Sequence, residues 1–83
     1  MTWQLPVRVF ARLRELTGAE ILELAMPTAA TARDVRRAIV ERWPATGALM
    51  AASAIAVNNE YAHDEHAVRA GDEVAVIPPV SGG

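Results

Sequence analysis

Near the start of the chain, Val7 and Val9 alternate with Arg8 and Phe10, the period of two that a strand shows. Phe10 fits two placements, under the loop that follows or on the outer face of a sheet for a partner. Packing is expected, because aromatic side chains are usually core. The spacing then turns helical in ARLREL (Ala11 to Leu16), where Leu13 and Leu16 lie three apart and Gly18 stops one short turn. Arg12 and Arg14 are expected to face water. Glu20 to Met26 returns to a period of two, with Leu22, Leu24 and Met26 on one face and Ile21, Glu23 and Ala25 on the other. Gly18 between the two strands suits a wide hairpin turn. Pro27 has no N–H to donate and ends the second strand.

Thr31 to Trp43 is the clearest helix. Val35, Ala38, Ile39 and Trp43 form a stripe at three- and four-residue spacing, and Arg36, Arg37 and Glu41 are expected to face away from most of it. Thr31 suits the N-cap and Asp34 places a negative charge in the first turn. Pro44 closes the helix, since the residue before a proline avoids helical backbone. Ala45 to Ala52 reads equally as loop or short helix. AIAVNNEYA then predicts a strand with Ile55 and Val57 inward, a tight turn at Asn58-Asn59, where positive φ is tolerated, and a continuation to Tyr61 over the core edge. Val68, a Gly71-Asp72 turn and a last strand from Glu73 to Ile77 follow. Strands on both sides of one main helix predict an α+β domain, with a mixed sheet of four or five strands and the helix packed across it.

The composition agrees with one small folded domain. The chain has 83 residues, of which 52% are hydrophobic, well above the level of a disordered chain. A net charge of −2 gives no electrostatic footprint for nucleic acid. The longest apolar run, Ala48 to Val57, is broken by Ser53 and is shorter than the roughly 20 residues a membrane helix needs. The N-terminal MTWQLPVRVF lacks the pattern of a signal peptide. A cytoplasmic protein with no membrane association is therefore expected. Cysteine is absent, which excludes disulfides, thiolate metal sites and a cysteine nucleophile. All eight basic residues are arginine. Codon bias explains that most simply, although a lysine-free chain also cannot attack its own activated terminus.

Few side chains suggest chemistry. His63 and His66 bracket two acids in HDEH, but with no third anchor they read as a solvated loop, and no metal site is expected. The terminal PPVSGG is different. Pro78 and Pro79 cannot extend the last strand. Extended at about 3.3 Å per residue, Pro79 to Gly83 reaches roughly 16 Å. Gly82 and Gly83 lack Cβ atoms and pass where other residues clash. This geometry suits threading a carboxylate into a deep, narrow site on another protein. An α-carboxylate, with a pKa of about 3.5, is ionised at neutral pH and is a poor electrophile. Conversion to an acyl-adenylate supplies a leaving group, and a sulfur donor can then displace AMP to give a thiocarboxylate. A chain without cysteine can thus carry sulfur at Gly83. No ATP-binding motif is present, so partner enzymes must do the activating.

Together, VRVFARLREL near the start, VNNEY in the middle and GDEVAVIPPVSGG at the end resemble the small-subunit family of molybdopterin synthase, the ubiquitin-like sulfur carriers, over essentially the whole chain. The resemblance implies a β-grasp fold over residues 1–78 with a flexible diglycine tail at 79–83. It implies that Gly83 is adenylated by an E1-like adenylyltransferase, which consumes ATP, and then thiocarboxylated by a sulfurtransferase. The tail would enter the large subunit's active site and give sulfur to the dithiolene of molybdopterin, starting from cyclic pyranopterin monophosphate. The small subunit is then a non-catalytic carrier with no tightly bound cofactor, in a heterotetramer with a large-subunit dimer. Gly82 and Gly83 match the reactive tail and Pro78 to Ser81 its base. Phe10, Ile77, Pro79, Val80 and Ser81 are the candidate partner-binding residues. Three rivals share the pattern: a sulfur carrier for thiazole or cysteine synthesis, a ubiquitin-like protein modifier, and a β-grasp interaction module with an inert tail. ARLREL and the serine before the diglycine favour the molybdopterin branch.

Overall fold

A computed structural model of the chain describes residues 1–79. Strand β1 (Thr2–Val9) places Leu5, Val7 and Val9 inward and leaves Pro6 and Arg8 exposed. It begins earlier than the valine alternation indicates and holds Pro6 in its interior. Pro6 lies just before the residues of β1 that meet a second neighbour, so its missing N–H leaves no ladder bond unmade on that side. Helix α1 (Ala11–Thr17) buries Leu13, and Gly18, at φ 75°, donates its N–H to the Arg14 carbonyl at 2.9 Å. The chain then returns as β2 (Ile21–Pro27), antiparallel to β1, with Val7 opposite Leu22. Leu22, Leu24 and Met26 are buried as their alternation indicates.

A two-residue strand, β3 (Ala30–Thr31), leads into α2 (Ala32–Arg42). Thr31 is the N-cap, and its N–H and hydroxyl reach one Asp34 carboxylate oxygen at 2.9 and 3.2 Å. Val35 and Ile39 are fully buried against the sheet, while Ala38 and Trp43 pack at the rim of the same core. Trp43 ends the helix before Pro44. The ambiguous segment is helical: a 3-10 turn at Pro44–Thr46 and α3 (Gly47–Ala52), which buries Met50. Ser53 stops it, with its hydroxyl donating to the Leu49 carbonyl at 2.6 Å. The longest apolar run therefore splits into a helix and a strand. Among the described residues, no helix is long and apolar enough to cross a membrane.

Strands β4 (Ala54–Val57) and β5 (Glu60–Ala62) form the expected hairpin, with Asn58 and Asn59 at φ 52° and 68°. Strand β6 (Ala67–Val68) pairs with β3 in a small separate sheet. That pairing was invisible in the sequence, because two-residue strands carry no period. Strand β7 (Val74–Ile77) enters the middle of the main sheet, parallel to β1 and antiparallel to β4. The order β2-β1-β7-β4-β5, with the helices on one side, is the mixed five-stranded α+β arrangement of a β-grasp fold.

Arg36 departs from expectation. Rather than facing away, its half-buried guanidinium donates to the Met50 carbonyl, to the Ser53 carbonyl at 3.0 Å and to Asp64 at 3.5 Å. It thereby ties the end of α3 and the β5–β6 loop to α2, adding to the Ser53 N–H that the Met50 carbonyl already accepts at 3.2 Å. Arg36→Ala removes these charge-assisted bonds at a partly buried site, and equilibrium denaturation of the variant is expected to show a loss of about 1–3 kcal/mol.

Candidate functional site

All the helices cover one face of the sheet, so the other stays open. Cross-strand register assembles that open face. Ile21 of β2 lies opposite Arg8 of β1, Arg8 beside Ala75 of β7, Ala75 opposite Ala56 of β4, and Ala56 opposite Tyr61 of β5. One row therefore crosses all five strands. Phe10 follows one step beyond the Val9–Val76 pairing, next to Ile77. These residues line a shallow groove of about 910 Å³. Phe10, Ile21 and Tyr61 are 40%, 49% and 79% exposed, so an apolar patch lies open to solvent, with Arg8 among its lining residues.

The expected packing of Phe10 is thus overturned, and its alternative placement on the outer face is the one observed. The reason is the alternation itself: Val9 is buried, so the next side chain projects outward. The chain turns only at Ala11, which adopts φ 49° as α1 begins. Tyr61 likewise does not cover the core edge, because its register partner Ala56 belongs to the outer row between Ile55 and Val57, which are buried. Ile21, Arg8 and Tyr61 were not singled out as site residues. The period-two pattern already put Ile21 opposite in face to Leu22, but sequence alone does not say which face the helices leave bare.

The last described strand carries the chain to this patch. Val74 and Val76 are buried and Ile77 is half-buried on the open face. Pairing with β4 stops at Ile77, Pro78 is half-buried and Pro79 is exposed. Two consecutive residues without N–H groups end the ladder there. Ile77, Phe10 and Pro79 thus lie at one end of the open face. The remaining candidates, Val80, Ser81, Gly82 and Gly83, lie outside the described residues.

The opposite end of β7 is pinned by two linked turns. The Asn58 N–H donates to the Glu73 carbonyl at 2.7 Å, and the Glu73 N–H returns a bond to Asn58 Oδ1 at 2.9 Å. Asn58 Nδ2 reaches Asp72 Oδ1 at 3.1 Å, while Asp72 Oδ2 accepts the Arg69 N–H at 2.8 Å. Both turns were legible in the sequence; their mutual hydrogen bonding was not. The Arg69 main-chain donor first, and the Asn58 amide second, hold the Asp72 carboxyl below its ordinary value.

The HDEH segment has a structural use instead. The Ala32 N–H donates to the His66 carbonyl at 2.9 Å and the Arg33 N–H to the Asp64 carbonyl at 3.0 Å, so the loop satisfies the first N–H groups of α2. Both histidine side chains are on the surface, with ring centroids 6.3 Å apart. Among the described residues, no group of three His, Cys, Asp or Glu side chains is placed to hold a metal ion.

Comparisons with known proteins bear on the whole chain. The model of the ThiS family matches residues 7–83. The molybdopterin synthase sulfur carrier subunit of Arabidopsis thaliana is 39% identical over 80 residues, covering 96% of this chain and 83% of that protein. Among solved structures, SAMP1 from Haloferax volcanii superposes with a TM-score of 0.82 at 32% identity, covering 98% of this chain and 100% of that one. A chain in the complex of subunits 1 and 2 of molybdopterin-converting factor from Helicobacter pylori 26695 matches with a TM-score of 0.64 at 23% identity, covering 98% of this chain and 100% of that one.

The Asp72 geometry makes a pH prediction. A lowered carboxyl stabilises the native state fully above its ordinary value of 3.8, and that contribution is lost as the pH falls through the lowered value. Thermal melts from about pH 6 to about pH 3 should show an acid-side loss in the natural chain that is smaller in Asp72→Asn.

Proposed function

Because the chain belongs to the ThiS family, we propose that it is a sulfur carrier of molybdenum cofactor biosynthesis, the small subunit of a molybdopterin synthase. The observation that carries this reading is the near-complete alignment with a sulfur carrier subunit of that synthase. The geometry supports it from two sides. The central strand leads to an exposed exit at Pro79, and an apolar sheet face lies open beside that exit.

The chemistry is that of a main-chain terminus. The Gly83 carboxylate attacks the α-phosphorus of ATP in an E1-like adenylyltransferase, pyrophosphate leaves, and an acyl-adenylate forms. A sulfurtransferase persulfide then displaces AMP at the acyl carbon. Reductive cleavage of the resulting acyl disulfide by a thiol leaves the thiocarboxylate. Gly82 and Gly83 give the arm the slim profile needed to enter a narrow site. Within the large subunit, the thiocarboxylate delivers sulfur toward the dithiolene of molybdopterin, starting from cyclic pyranopterin monophosphate. The carrier supplies docking and reach, and the catalytic groups belong to the partner. The open sheet face is the surface that meets the large subunit; a large-subunit partner is supported by the Helicobacter pylori complex of two subunits.

Intact-mass measurement of the chain purified from cells should show a population in which one oxygen is replaced by sulfur, mapping to the C-terminal peptide. Extension of Gly83 by one residue should abolish complementation of a strain lacking the small subunit. Deletion of Gly82 and Gly83 with full complementation would overturn the reading. High-mass conjugates in place of the thiocarboxylate would move it to the protein modifiers. Hydrogen exchange offers a check on the docking face: amides around Phe10 and Ile77 should gain protection when the purified large subunit is added, while those of the exposed 63–66 loop should not.

A further inference from the structure

The open face carries, on β1, a charge that its surroundings do not balance. Arg8 is the second position of the cross-strand row, with Ile21 on one side and Ala75 on the other, Pro6 two residues before it on β1 and Phe10 just past the strand's end. Arg12, Arg14, Arg33 and Arg36 have carboxylate partners within ion-pairing distance, whereas among the described residues Arg8, like Arg37, Arg42 and Arg69, has none; of these four, only Arg8 lies in the groove of the open apolar face. The acids nearest in register are diagonal. Glu23 faces Pro6 across β2, and Glu73 precedes the residue that faces Val7 on β7. Glu73 shares the groove with Arg8, yet neither acid forms an ion pair with it.

In solvent this isolation costs little. A partner that buries the apolar row strips water from the guanidinium, and an unpaired desolvated charge is strongly unfavourable. We infer that the partner surface covering the sheet presents a carboxylate to Arg8, so that this residue sets which large subunit the carrier accepts. Arginine suits the role, because its planar fork engages a carboxylate through two parallel N–H donors. The apolar residues Phe10, Ile21 and Tyr61 supply contact area, and the ion pair supplies selectivity. This rests on the reading that a synthase large subunit docks on the sheet face.

The test measures the affinity of the purified large subunit from the same organism for four variants by calorimetry, at low and high salt. Arg8 is exposed, so Arg8→Leu should fold normally, and circular dichroism checks this. Removal of the cation leaves a buried carboxylate unpaired. Arg8→Leu should therefore weaken binding at least about tenfold, and Arg8→Glu further still. The salt dependence should be shallower for Arg8→Leu than for the natural chain. Ile21→Asp tests the docking face itself and should also weaken binding. Glu23→Gln combined with Glu73→Gln should leave affinity within about threefold. If Arg8→Leu binds as tightly as the natural chain, or more tightly, while Ile21→Asp fails, the guanidinium simply reaches solvent and the inference is wrong. If the double glutamine variant weakens binding as much as Arg8→Leu does, the partner carboxylate lies within this chain and the inference is again wrong. If neither Arg8→Leu nor Ile21→Asp changes affinity, the docking face has been misplaced and the inference falls with it.

Discussion

Seating one late strand between two early ones is the constraint on which this structure depends. Strand β7 pairs with β1 on one side and β4 on the other, and its Val74 and Val76 close the core. Parallel pairing with β1 is possible only because the long crossover between them carries α2 and the rest of the fold across one face. That crossover buries Val35, Ile39 and Met50 and leaves the opposite face uncovered. The open apolar face and the central position of the chain's exit therefore have one topological origin.

The two ends of β7 are treated differently. At its start, Asn58 and Asp72 join two turns through side-chain and main-chain bonds. At its finish, two prolines stop the ladder and release the chain at an exposed position. A carrier needs both: a fixed anchor, so that docking defines where its terminus begins, and a stop to the ladder after Ile77, which the two prolines supply. Arg36 and the 63–66 loop serve the anchor indirectly by locking α2 to the segments that precede β4 and β6.

Much of this was legible in the sequence where a period was long enough to read. The stripe of α2, the alternation of β2 and the Asn58-Asn59 turn all appear where local pattern placed them. The terminal motif, with ARLREL, pointed to the sulfur-carrier family, and the ThiS match agrees. What was not legible depends on contacts between distant residues. The β3–β6 pair spans two residues each and has no pattern. Arg36 lies on the polar side of its helix, and only the approach of α3 gives it carbonyls to bond. Residue type alone points Phe10 to the core, whereas strand parity, with Val9 buried, sends it outward. The row Ile21, Arg8, Ala75, Ala56 and Tyr61 exists only once the register of five strands is known.

Placing β7 at the centre of the sheet also orders events during synthesis. Until the ribosome releases that segment, β2-β1 and β4-β5 are separate hairpins with no shared ladder. The groove has no floor at that stage, because Ala75 and Ile77 supply it. A nascent or prematurely terminated chain that lacks β7 thus lacks the assembled open face.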